Sequence, residues 1–103
     1  MANIGTFKKT GDNFEGEIFT VTLDLQNVRI VAEATVDSDN APTHRVFVGR
    51  AEIGAAWAKT SSAGRNYLSV TLDDPSFTNA INANLFENDD GATFKLVWTR
   101  PRP

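Results

Sequence analysis

Residues 44–74 read HRVFVGRAEIGAAWAKTSSAGRNYLSVTLDD, and the periodicity of this stretch decides the fold. It contains three strand-like runs, Arg45–Val48, Glu52–Lys59 and Asn66–Leu72. In the last run Leu68, Val70 and Leu72 recur at every second position, with Tyr67, Ser69 and Thr71 between them. Side chains alternate sides along a strand, so this run has one apolar and one polar face. That is the signature of an antiparallel strand lying over a core. A slip of one residue would exchange the two faces, so the register is tightly specified. In the preceding run Ile53, Ala55 and Trp57 share one face, which places Trp57 in the core. Gly54, Ala56 and Ala58 share the other, small enough for a neighbouring backbone to approach closely. Gly54 also marks a bend or bulge, as in a small barrel. The turn Thr60–Gly64 joins these two runs.

The same reading extends outward. Ile4–Lys9 forms a first strand, and Lys8–Asn13 carries turn chemistry. Phe14–Leu25 reads as one longer strand, with Phe19, Val21, Leu23 and Leu25 on one face and Ile18, Thr20, Thr22 and Asp24 on the other. Asp24–Asn27 has no clear pattern. Val28, Ile30, Ala32 and Ala34 then alternate with Arg29, Val31 and Glu33; the β-branched content favours a strand over a short helix. Asp37–Pro42 is a loop rich in side chains that bond their own backbone, and is the segment expected to move most. Asp73–Phe77 ends the third central strand, because Pro75 lacks a donor and restricts Asp74. Asp74 or Ser76 caps at most one short helical turn. Ile81–Phe86 resumes a strand, Asn88–Gly91 is a turn, and Thr93–Arg100 closes the fold with Phe94, Leu96 and Trp98 on one face. The tail Pro101–Pro103 lies outside any ladder. Six to eight short strands with polar turns describe a single all-β domain over residues 1–103, either a small antiparallel barrel or a compact sandwich.

Composition narrows the function. The chain has 103 residues, the length of one domain, and 41% are hydrophobic. A fold of this size buries roughly 65% of its extended-chain surface, enough for a core without staples. With no cysteine, disulfides, thiolate metal sites and Cys nucleophiles are excluded. His44 is the single histidine, which is poor material for a zinc site or a Ser–His–acid triad. The acid pairs Asp37/Asp39, Asp73/Asp74 and Asp89/Asp90 fall in turns without calcium-loop spacing. Glycine spacing gives no phosphate loop. No enzymatic activity, cofactor or metal is expected. No apolar run approaches membrane-helix length, and no basic–apolar signal pattern opens the sequence; a cytoplasmic protein without membrane contact is expected.

The net charge is −3 but uneven. Residues 41–72 hold Arg45, Arg50, Lys59 and Arg65 against Glu52 alone. An acidic total argues against nonspecific duplex binding, which needs many phosphate contacts. The basic centre interleaves with aromatic residues, and Arg45, Phe47, Arg50, Lys59, Arg65 and Tyr67 form the candidate interaction surface. Arg65 and Tyr67 point away from Leu68 and Val70, so Tyr67 is expected to be partly exposed. An exposed tyrosine flanked by arginines has the composition of a protein-interaction hot spot. A protein partner or homo-oligomer is the leading reading. The alternative is single-stranded DNA or RNA, held by aromatic stacking and phosphate attraction.

Several blocks also carry a family resemblance: Ile4-Gly5-Thr6-Phe7, Phe14-Glu15-Gly16, Glu52-Ile53-Gly54-Ala55-Ala56-Trp57, Gly64-Arg65-Asn66-Tyr67-Leu68-Ser69-Val70 with its continuation Leu72-Asp73-Asp74-Pro75-Ser76-Phe77, and Ala83-Asn84-Leu85. In these the chain resembles the bacterial family named domain of unknown function 736, over nearly its whole length. The resemblance implies a bacterial cytoplasmic protein from a family often encoded on plasmids and integrated mobile elements. It supplies no established activity and no catalytic residue.

Overall fold

The computed structural model describes residues 2–21, 23–33, 41–77 and 79–98. The strands are β1 (Ala2–Thr10), β2 (Asn13–Phe19), β3 (Asp24–Ala32), β4 (His44–Val48), β5 (Ala51–Thr60), β6 (Asn66–Leu72), β7 (Ile81–Glu87) and β8 (Thr93–Trp98). Each pairs antiparallel with the next, and β8 returns to pair with β1, closing an up-and-down barrel. Closure leaves no unpaired edge to recruit another strand. Of the two architectures the alternation allows, the chain adopts the barrel, and no helix occurs among the described residues.

Inward side chains fill the interior. Phe7, Ile18, Val28, Ile30, Val46, Val70, Leu72, Leu85 and Leu96 are all but sealed from solvent. A barrel of eight strands is just wide enough for its own side chains, so the middle is a packed core rather than a pore. Leu68, Val70 and Leu72 face inward as their alternation requires, and Tyr67 faces out, half-buried. Residues 28–32 are strand, with Val28 and Ile30 in the core.

Curvature comes from bulges and inward glycines. Gly16 lies between Phe7 and Val28 of the flanking strands. A Cβ there would collide with the Thr6 carbonyl oxygen and come within 2.7 Å of the Phe7 Cα. Gly54 sits against Leu72 in the same way, where a Cβ would meet the Thr71 carbonyl oxygen and lie 3.0 Å from the Leu72 Cα. At both sites a large side chain covers a bare backbone and lets the wall bend tightly.

Two expectations are corrected. Phe14–Leu25 is not one strand: the chain turns back between Phe19 and Asp24, so the segment belongs to a hairpin of β2 and β3. There the Thr20 N–H donates to the Leu23 carbonyl at 2.8 Å, and the Leu23 N–H donates to Thr20 Oγ1 at 3.1 Å. A threonine hydroxyl supplies what glycine or asparagine ordinarily signals in a turn. The unpatterned Asp24–Asn27 has a reason of its own: Gln26 and Asn27 oppose the single residue Glu17 in a bulge, with Asn27 at φ 57°.

The second correction concerns Trp57. Phe47 pairs with Glu52 but Val46 pairs with Gly54, so Ile53 is an extra, bulged residue. Beyond it Gly54, Ala56 and Ala58 face inward opposite Leu72, Val70 and Leu68. Trp57 therefore faces out beside Ser69 and is half-buried, while Ile53 remains in the core. The bulge is the one-residue slip that exchanges faces.

The remaining turns match their sequence signals. Gly64 and Gly91 adopt φ 82° and 70° in the β5–β6 and β7–β8 turns. The Asp74 carboxylate accepts from the Ser76 N–H at 2.9 Å and the Phe77 N–H donates to the Asp74 carbonyl at 2.8 Å, a single turn that does not go on into a helix. Most of the Asp37–Pro42 loop and the end of the chain from Thr99 through the Pro101–Pro103 tail lie outside the described residues.

A candidate binding face on the barrel wall

Strand order separates the six candidate residues into two groups. The β1–β2, β5–β6 and β7–β8 turns lie at one end of the barrel, which carries Arg65. The β2–β3 and β4–β5 turns lie at the other, which carries Arg50.

The β4 members are occupied within their own wall. The Arg45 Nε donates to Glu33 Oε1 at 2.9 Å and its Nη1 to Glu52 Oε2 at 3.2 Å. These two carboxylates, Glu33 above all, hold the guanidinium more firmly in its charged form and cancel its field. Phe47 lies under the Arg29 guanidinium, 5.6 Å from ring centroid to Cζ. Arg29 in turn donates to the Gly49 carbonyl at 2.6 Å. Arg45, Phe47 and Arg50 thus do not join the others.

Lys59, Arg65 and Tyr67 do converge, and the wall adds partners to them. Lys59 is paired across the sheet with Tyr67, and Phe86 with Lys95. The Tyr67 and Phe86 rings bridge the two pairs, with centroids 5.4 Å apart and planes inclined at 33°. The result is one outward row, Lys59–Tyr67–Phe86–Lys95, running across β5, β6, β7 and β8. At a strand spacing of about 4.8 Å its end lysines are anchored roughly 14 Å apart. Arg65 Nη2 donates to the Glu87 carbonyl at 3.2 Å, which draws its side chain over β7. Both rings are half-buried, while Lys59, Arg65 and Lys95 are exposed. Among the described residues none of these three cations forms a salt bridge. Trp57 stands on the same side of β5, one outward position before Lys59.

Sequence reasoning missed Phe86, Lys95 and the outward Trp57. Phe86 and Lys95 both stand opposite apolar partners at period two, so each strand showed that they point out. What was lacking was the adjacency of β6, β7 and β8.

His44 faces inward at the Arg65 end, its ring 5.9 Å from that of Phe14. Its Nδ1 is 2.9 Å from the Thr43 hydroxyl. Burial disfavours the imidazolium and lowers its pKa below the usual 6.5. Asp90 serves its turn, accepting from the Ala92 N–H at 2.9 Å, the Thr93 N–H at 3.0 Å and the Thr93 hydroxyl at 2.8 Å. Those bonds, led by the one from the Thr93 backbone, lower its pKa. Among the described residues no group of three or more His, Cys, Asp or Glu could hold a metal ion.

No curated protein and no solved structure matches the chain. Residues 3–101 match the family model described as Protein of unknown function (DUF736), and the chain belongs to that family.

Proposed function

We propose that this protein is a non-enzymatic binding module that holds single-stranded DNA or RNA on the outer face of β5–β8, in the bacterial cytoplasm. The observation that carries this reading is the row Lys59–Tyr67–Phe86–Lys95, in which an aromatic pair is flanked on both sides by unpaired cations. Bases stack on the ring faces whatever their sequence, and the lysines and Arg65 attract the phosphates. Four cationic or aromatic side chains in one row suit a single strand better than a duplex, for which the net charge of −3 is unfavourable. Fluorescence anisotropy of labelled single strands across a salt series tests the reading. Affinity should fall with salt and with Tyr67→Ala; no binding at low salt, or binding indifferent to both Tyr67→Ala and Phe86→Ala, refutes it.

A second reading, self-association, has its own observation. Phe19 and Val21, at 44% and 103% relative exposure, are the exposed large hydrophobics among the described residues. They border a groove with Ile4, Ile81 and Trp98 whose other lining side chains, Asn3 and Thr20 among them, are uncharged. Projection and groove on one patch permit a twofold dimer in which each copy's tip enters the other's groove. Sedimentation velocity over a concentration series tests it: a dimer abolished by Val21→Ser supports it, and a monomer at high concentration overturns it.

A further inference from the structure

We infer that the mouth of the barrel at the Arg65 end is a binding site for a small amphiphile with one anionic head, of the medium-chain carboxylate type. A cleft of about 700 Å³ opens there, within the range typical of ligand pockets. Its floor is the apolar top of the core: Phe14, Leu68 and Leu85, with Phe94 packed against them and meeting Phe14 edge to face at 4.9 Å.

The cleft exists because β5 presents a small residue there. Ala58 is the inward partner of Leu68, so the wall opposite the leucine is one methyl deep. The rim is cationic. Lys9, Lys59 and Arg65 line it, against Glu87 as the acid. Lys9 is the cross-strand partner of Phe14 and so follows the inward direction of that ring, over the mouth. Arg65 is fixed nearby by its bond to the Glu87 carbonyl, which uses one nitrogen and leaves the rest of the fork to donate. Thr60 and Asn66, also on the rim, bond each other at 3.1 Å. An apolar floor beneath an excess of cationic donors fits a hydrocarbon body that enters first and a carboxylate that stays at the rim.

The cleft shares Lys59, Arg65 and Tyr67 with the proposed nucleic-acid face, but Phe86 and Lys95 do not line it, so their variants separate the two. The full chain is titrated with decanoate and, in parallel, with decanol, following the methyl resonances of Leu68 and Leu85 by NMR. Decanoate should shift those methyls saturably. Decanol and the Lys9→Gln variant should each bind about tenfold more weakly, the size of one lost charge-assisted hydrogen bond. Ala58→Leu, which fills the floor, should abolish the shifts while its spectrum shows a folded protein. Phe86→Ala with Lys95→Ala should leave decanoate binding unchanged. Absent methyl shifts, equal binding of decanol and decanoate, or shifts confined to the Phe19 and Val21 end would overturn the assignment.

Discussion

Tyr67 and Phe86 face each other across β6 and β7 with ring centroids 5.4 Å apart, directly behind the paired core residues Leu68 and Leu85. The two pairs are opposite sides of one piece of wall. The backbone ladder between β6 and β7 fixes the strand spacing, the buried leucines anchor this piece of wall on the core, and the spacing sets the distance between the rings. The aromatic plate is therefore preformed, and a base that stacks on it has little ordering cost to overcome.

Removing either ring should weaken single-strand binding without unfolding the barrel. Base–aromatic stacking is worth about 1–3 kcal/mol per base, so Tyr67→Ala or Phe86→Ala should raise Kd by roughly 5- to 150-fold. Anisotropy titrations measure the affinity and thermal unfolding checks the fold. Unchanged affinity in both variants would mean that no base rests on the plate.

Charge removal separates the two groups of cations. Lys95→Ala should reduce the slope of log K against log salt by about 0.7, the contribution of one phosphate contact on a single strand. Arg45→Ala should leave that slope alone, because Glu33 and Glu52 already occupy the guanidinium. Equal slope changes for Lys95→Ala and Arg45→Ala would show that the strand follows a different path.

Legibility followed local rules and stopped where tertiary geometry replaced them. Asn66–Leu72 was readable because three inward and three outward side chains alternate without interruption. The reversal between β2 and β3 was not, because the Thr20 hydroxyl satisfies the Leu23 N–H in place of a glycine or asparagine signal. The outward face of Trp57 was not legible, because Gly54 signals a bulge but not that Ile53 is the extra residue. For the site, the outward direction of Tyr67 was local information. Its meeting with Phe86, and the estrangement of Arg45 and Arg50 from it, depended on strand order and on acids contributed by other segments.

Inward glycines set the curvature, and they should resist replacement. Gly16→Ala places a methyl against the Thr6 carbonyl and 2.7 Å from the Phe7 Cα, both backbone atoms that cannot swing aside. Overpacking of this kind costs about 1–3 kcal/mol and sometimes more. The exposed turn residue Ala63 should accept Ala63→Ser within about 0.5 kcal/mol. Urea unfolding of the three proteins gives the comparison. A Gly16→Ala protein as stable as the parent would mean that β1 and β2 are further apart than described.

Acidification should destabilise the barrel through His44. Its pKa in the fold lies below 6.5, chiefly because burial beside Phe14 penalises the imidazolium, with nearby Lys9 adding to the effect and Asp12 opposing it. The unfolded chain then binds the proton more readily than the folded one, so stability rises with pH across the interval between the two pKa values. His44's contribution is complete above 6.5 and is lost as pH falls toward its folded pKa. Urea midpoints of the parent should fall between about pH 7 and pH 5, where unperturbed aspartates and glutamates stay mostly ionised. His44→Gln does not titrate, and its midpoint should hold nearly level over the same interval. An identical fall in both proteins would assign the acid sensitivity to the carboxylates instead.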